Sequence, residues 1–252
     1  MLTSTGFSYW QDVRSPRYSL TFAFPLLLLY EVLAFSLSRG EVTGVRNGAD
    51  VLLKSLFIML GGRTGLAVFG GLLVGGGAAM VWRDYRRAGR IEPHYFVGMM
   101  LEAIAYGLAF GLVAGTLTVL LIPGMALMGE APRLAAGSLA GFSLATQLMI
   151  SLGAGIYEEL LFRVILVGGL AWMAGAVLGL TRTWAGVFAT VVGALIFAVF
   201  HYVGPYADPL DLGSFTFRAV AGLLFSGLYL LRGFGITAWT HALYDVFLAV
   251  GW

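Results

Sequence analysis

Long runs of apolar residues constrain the fold of this 252-residue chain more than any other feature of its sequence. A helix that crosses a bilayer needs about 20 mostly apolar residues, and several runs reach that length. Charged residues make up only 11% of the chain, whereas roughly 25% is usual for soluble domains. Because backbone amides cannot face lipid unpaired, each run is expected to be a helix. The sequence therefore predicts an all-α, polytopic bundle of membrane helices.

Seven runs are predicted to be transmembrane helices, and residues 1–252 are expected to form one integral membrane domain. The predicted spans cover about 18–37, 64–82, 96–122, 142–170, 185–203, 215–231 and 234–251. Between the first two spans, apolar residues recur at helical spacing over 45–60, and Arg46, Asp50 and Lys54 lie on other faces. This pattern predicts an interfacial amphipathic helix on the bilayer, with a short span as the alternative. In the second span, Gly71-x-x-x-Gly75 predicts a closely packed helix face.

Basic residues indicate the orientation, because short cytoplasmic loops are enriched in them. The loop between the second and third spans contains Arg83, Arg86, Arg87 and Arg90. We therefore expect this loop and the N-terminus to be cytoplasmic, in a multi-pass protein of a bacterial inner or plasma membrane. The same arrangement places four other basic residues outside, against the rule: Arg39, Arg46, Lys54 and Arg63.

Composition also limits the possible chemistry. Cysteine is absent, which excludes disulfides, thiolate nucleophiles and thiolate metal sites. The net charge is only +2, and no basic array suited to nucleic acid is present. Partners are therefore expected to be the lipid bilayer and a peptide or protein substrate at the membrane, not nucleic acid.

Ionisable residues inside three predicted spans require an explanation, because each costs roughly 2.5–3.5 kcal/mol to insert. They are Glu158, Glu159 and Arg163 in the fourth span, His201 in the fifth, and His241 and Asp245 in the seventh. Residues four apart share a helix face, so Glu159 is predicted to pair with Arg163. Glu158 is rotated by about 100° from Glu159 and can face a different group. A carboxylate and an imidazole in a dry pocket can activate one water molecule.

Three ordered motifs carry a family resemblance: Glu158-Glu159-x-x-x-Arg163, Phe197-x-x-x-His201 and His241-x-x-x-Asp245. Together they resemble the CAAX-protease and bacteriocin-processing family, also called the ABI family. The resemblance covers the C-terminal half of the chain.

The resemblance implies a glutamate-type intramembrane endopeptidase in which Glu158 is the general base and His201 helps to hold the water. His241 and Asp245 would line the oxyanion region, with Glu159, Arg163 and Phe197 in support. Family members often carry asparagine at the last motif position. An ionised Asp245 would repel an oxyanion, so it is expected either to orient His241 or to be protonated.

Other functions remain open at this stage. No cofactor is expected, but His201, His241 and Glu158 are a plausible ligand set for catalytic zinc. Intramembrane glutamate and histidine also occur in proton-coupled transporters, and a non-catalytic membrane scaffold is a third possibility. The sequence contains no H-E-x-x-H helix of the kind that binds zinc in metalloproteases.

Overall fold

The computed structural model describes residues 5–37, 45–122, 141–204 and 207–251, and the ordered elements in these ranges are helices. A short helix α1 (Thr5–Asp12) precedes the long helix α2 (Pro16–Leu37). Helix α3 (Gly48–Gly70) passes through a π-helical turn, Gly71–Gly76, into α4 (Gly77–Ala88), and α5 follows over Pro93–Leu121. Helix α6 (Leu144–Gly153) continues through π-helical segments Ala154–Glu158 and Leu160–Val167 into α7 (Gly168–Leu178). The chain ends with α8 (Arg182–Phe200), α9 (Leu212–Arg232) and α10 (Phe234–Ala249).

Six continuous helical stretches in the described part of the chain are long and apolar enough to cross a membrane. They correspond to the first six predicted spans, with bounds that differ by a few residues. The seventh corresponds to α10, which has 16 residues and lies below the length of a full span. Many large apolar side chains on the outside of the bundle are exposed, such as Phe35, Leu112 and Val177. An apolar exterior suits lipid, so the all-α polytopic membrane bundle predicted from the sequence is confirmed.

The segment predicted as an interfacial helix is helical from Gly48, and its charged residues face the rest of the protein. Helix α3 bends sharply at Gly61 and Gly62, which separates its first half from the spanning half. In the first half, Asp50 and Lys54 are buried and ion-paired at 2.7 Å, whereas apolar residues such as Met59 are exposed. Lys54 also donates a 2.8 Å hydrogen bond to Glu31 of α2. Its charged residues therefore pack into the protein, not toward water. Arg39 lies outside the described residues.

The small-residue face of the second span is not used for packing within the described part of the chain. A Cβ atom added at Gly71 or Gly75 would meet nothing within 4 Å. The predicted close packing of this face is therefore wrong for contacts within the described chain.

Helix α10 is the packing centre of the bundle, in contact with α2, α5, α6 and the π-helical segment Ala154–Glu158. It follows α9 after a single residue, Gly233, whose φ of +81° strongly favours glycine. The turn is held in place by the preceding Arg232, which is 2% exposed. Arg232 forms a two-pronged pair with Glu102 at 2.6 and 2.7 Å and lies over the ring of Trp10. These contacts fix the start of the helix that carries the last sequence motif.

Candidate active site

The first motif lies where the α6–α7 stretch is π-helical. Glu158 ends one π-helical segment and Arg163 lies in the next. Such segments are rare and frequently occur at functional sites. Gly155 permits a close approach to α10, because a Cβ there would lie 2.3 Å from the carbonyl oxygen of Ala238. The wide helical turn and the glycine bring the first motif against the third.

Glu159 connects the first and third motifs. One carboxylate oxygen, Oε2, lies 3.1 Å from Nε of Arg163, which is the pair that their spacing predicts. The other, Oε1, accepts a 2.7 Å hydrogen bond from Nδ1 of His241. Glu159 is fully buried and Arg163 is 1% exposed. A buried ion pair of this kind is stable only with further hydrogen bonds, and His241 supplies one of them.

Glu158 faces a different environment from Glu159. Its Oε1 accepts a 2.8 Å hydrogen bond from the side-chain amide of Asn47, while Oε2 is buried and has no hydrogen-bond partner among the described residues. The imidazole rings of His201 and His241 are close enough to interact electrostatically with this carboxylate. The carboxylate is therefore held by one oxygen and unengaged at the other.

His201 follows the last residue of α8 and has a defined ring orientation. Its Nδ1 lies 2.9 Å from the carbonyl oxygen of Phe197. A carbonyl only accepts, so Nδ1 carries the hydrogen and donates it. The Nε2 atom of a neutral ring then has a lone pair available. The Phe197 ring packs edge-on against the imidazole at a centroid distance of 4.9 Å, as the four-residue spacing of the second motif predicts.

The two motif histidines lie in one region of the bundle, around Phe197. Phe197 contacts the rings of both, at centroid distances of 4.9 Å to His201 and 6.3 Å to His241. Counting residues along ideal spans instead places them roughly 15 Å apart in depth. The start of α10 is buried against α2: the backbone N–H of Gly235 donates a 2.7 Å hydrogen bond to Ser19, and Ile236 and Thr237 are fully buried. The three motifs therefore converge on one region.

Asp245 lies beside His241 without a hydrogen bond to it. Its Oδ2 is 3.8 Å from Nε2 of His241, which is longer than a hydrogen bond. The orienting contact to the His241 ring comes from Glu159, and a second comes from Phe225, which stacks on the ring at 4.2 Å. The structure thus assigns the orientation of His241 to residues other than Asp245.

Arg163 completes the supporting layer of the site. Its guanidinium lies 4.6 Å from the ring centre of Phe197 and 5.4 Å from that of Phe225. An arginine over an aromatic face is attracted by the negative charge density of the ring. Arg163 therefore links the ion pair with Glu159 to the two aromatic rings that hold His201 and His241.

Two site residues escaped the sequence analysis, Asn47 and Phe225. Asn47 is an N-cap, a position for which asparagine is strongly preferred, so its role as a helix start was recognisable. Its contact with Glu158 joins residues 111 positions apart, so no spacing pattern in the sequence predicts it.

Among the described residues, no group of three or more histidine and acidic side chains is arranged to hold a metal ion.

Comparison with known proteins agrees with the motifs. Residues 140–247 match the family model described as Rce1-like, type II CAAX prenyl endopeptidase. No curated protein and no solved structure gives a significant match to the chain. The matched region contains all three motifs and the π-helical segments Ala154–Glu158 and Leu160–Val167, and the family implies intramembrane protease activity. The part of this chain that carries its buried glutamates, arginine and histidines, residues 140–247, is thus similar to the CAAX proteases.

Proposed function

We propose that this protein is an endopeptidase that hydrolyses a peptide bond of a membrane-associated protein or peptide, using a water molecule activated by Glu158 and His201. The main support is that the two adjacent glutamates have different side-chain contacts. Both oxygens of Glu159 are used, one in the ion pair with Arg163 and one in the hydrogen bond from His241, whereas Oε2 of Glu158 is buried with neither an ion pair nor a hydrogen bond among the described residues. A general base needs such an available oxygen within reach of the proton that it accepts.

The proposed reaction begins with a water molecule that donates one hydrogen bond to Oε2 of Glu158 and one to Nε2 of His201. Glu158 takes a proton, and the water oxygen forms a bond to the carbonyl carbon of the scissile peptide. The resulting tetrahedral intermediate collapses as the carbon–nitrogen bond breaks. The proton on Glu158 passes to the leaving amine, so the base returns to its starting state.

His241 is proposed to stabilise the oxyanion of that intermediate. Its Nδ1 donates to Glu159, so donation to an oxyanion requires a second hydrogen, on Nε2. An imidazolium flanked by the carboxylates of Glu159 and Asp245 meets this requirement. Asp245, 3.8 Å from Nε2, would then balance the charge of the ring between catalytic cycles.

The family description names a prenylated CAAX sequence as the substrate of its members. For this chain we propose the broader class of peptides presented at the membrane, which includes CAAX tails and bacteriocin precursors. The exposed apolar exterior of the bundle suits a substrate that reaches the site from the bilayer.

The test is the Glu158→Gln variant, which keeps the shape of the side chain and removes the base. We expect turnover of a cleavable membrane peptide to fall by two or more decades, within the roughly 10²–10⁴-fold range of general-base contributions. The purified protein should retain its thermal midpoint in detergent. Cleavage at the wild-type rate would remove Glu158 from the mechanism.

A further inference from the structure

Asn47 lies outside the family-matched region, yet it is the described residue whose side chain makes a direct hydrogen bond to Glu158. It is 2% exposed and precedes the first residue of α3. Gly153 makes room for it, because a Cβ at that position would lie 2.6 Å from Cβ of Asn47. The next residue, Gly48, packs against the ring of Phe200 near His201. Asn47 and Gly48 therefore pack against the helices that carry the first two motifs.

The orientation of the Asn47 amide is determined by the helix that it caps. Its Oδ1 accepts a 2.9 Å hydrogen bond from the backbone N–H of Ala49. The amide nitrogen must therefore face the other way, where it lies 2.8 Å from Oε1 of Glu158. A flipped amide would lose the cap and place two oxygens in contact. The positive end of α3 adds a further favourable interaction with the carboxylate.

We infer that Asn47 is a positioning residue that holds Oε1 of Glu158, so that Oε2 is the oxygen that accepts the proton from water. This inference rests on the proposed function, because it names which atom of the base reacts. In the proton step, the bond from water oxygen to hydrogen breaks and the bond from hydrogen to Oε2 forms. The amide of Asn47 stays bonded to Oε1 throughout and favours the ionised carboxylate.

Several groups other than Asn47 also act on Glu158, and the test must separate its effect from theirs. Among the described residues they are His201 at the end of α8, His241 and Asp245 on α10, and Arg163 on its own stretch of helix. None of these is altered when Asn47 alone is replaced. A change in the pH dependence of turnover in an Asn47 variant therefore reports on the hydrogen bond to Oε1.

The experiment uses Asn47→Ser and Asn47→Gly, because both residues are tolerated at an N-cap and neither can donate from an amide. We expect kcat to fall about 10- to 100-fold, as for loss of a hydrogen bond to a charged group. KM should not change, and the acidic limb of the kcat profile should move to higher pH, because the ionised base loses a donor. The matched control is Ser143→Ala, which removes the exposed N-cap of α6 and should leave the pH profile unchanged.

Wild-type kcat and pH profile in Asn47→Ser would overturn the inference. Losses that merely track the fraction of folded protein, with an unchanged pH profile, would also overturn it, because Asn47 would then be only a cap. Glu158→Gln is measured in parallel. If Glu158→Gln is inactive and the Asn47 variants are normal, only this inference fails. If Glu158→Gln is active, the proposed function itself fails.

Discussion

Replacing Arg163 by methionine tests the ion pair that supports the site. Glu159 and Arg163 are almost fully buried, so the variant leaves a carboxylate with His241 as its one polar partner among the described residues. Breaking a buried pair from one side costs about 3–5 kcal/mol. For a chain of this length, each kcal/mol lowers the unfolding midpoint by roughly 2–4 °C. We therefore expect a decrease of roughly 6–20 °C, measured by thermal unfolding in detergent, together with loss of activity.

Two further variants separate the stranded charge from the loss of packing. Combining Arg163→Met with Glu159→Gln removes both charges, so the double variant should be more stable than the single one while remaining inactive. Arg86→Met is the matched control, because Arg86 also lies over an aromatic ring, Trp82, but at an exposed position. It should change stability by less than about 0.5 kcal/mol. A fully stable but inactive Arg163→Met protein would refute the supporting role and indicate direct participation in catalysis.

Three other predictions address metal dependence, orientation and packing. Long incubation with a chelator should leave activity intact; loss on chelation and recovery with zinc would replace the glutamate mechanism by a zinc-dependent one. With the N-terminus in the cytoplasm, α8 runs outward and places His201 toward the outer face, where the site is expected to open; an impermeant thiol reagent applied to intact cells should therefore label Val203→Cys and spare Thr183→Cys, and the reverse pattern would invert the topology. Gly155→Ala should destabilise the protein by about 1–3 kcal/mol and reduce turnover, because the new Cβ would overpack against Ala238 and Ala242 of α10. A variant with wild-type stability and turnover would contradict the tight contact.

The parts of the site that sequence could predict are those governed by spacing within one helix. Four-residue spacing correctly placed Glu159 beside Arg163 and Phe197 beside His201. The same rule brought Asp245 near His241, although at 3.8 Å it is too far for a hydrogen bond. The catalytic roles of these residues stay predictions. The long apolar runs likewise predicted the helical bundle, because bilayer thickness restricts the length and composition of spans.

Contacts between helices could not be predicted in this way. The bonds from Glu159 to His241 and from Asn47 to Glu158 join residues distant in sequence, and no spacing rule relates them. The contacts of Arg232 with Glu102 and Trp10 before the start of α10 were equally inaccessible, because they too join residues distant in sequence. For α3 the sequence separated a charged from an apolar face, but a helical pattern does not identify which face has protein neighbours.

The first half of α3 is anchored to α2 beside the residue that contacts Glu158. Asp50 and Lys54 on its inner face are tied to each other and to Tyr30 and Glu31 of α2. Swinging this half outward would break the hydrogen bonds to Tyr30 and Glu31 and expose the Asp50–Lys54 pair to hydrocarbon, at a cost of several kcal/mol. That cost disfavours opening at this position, so we expect a substrate to enter between other helices while Asn47 stays in place.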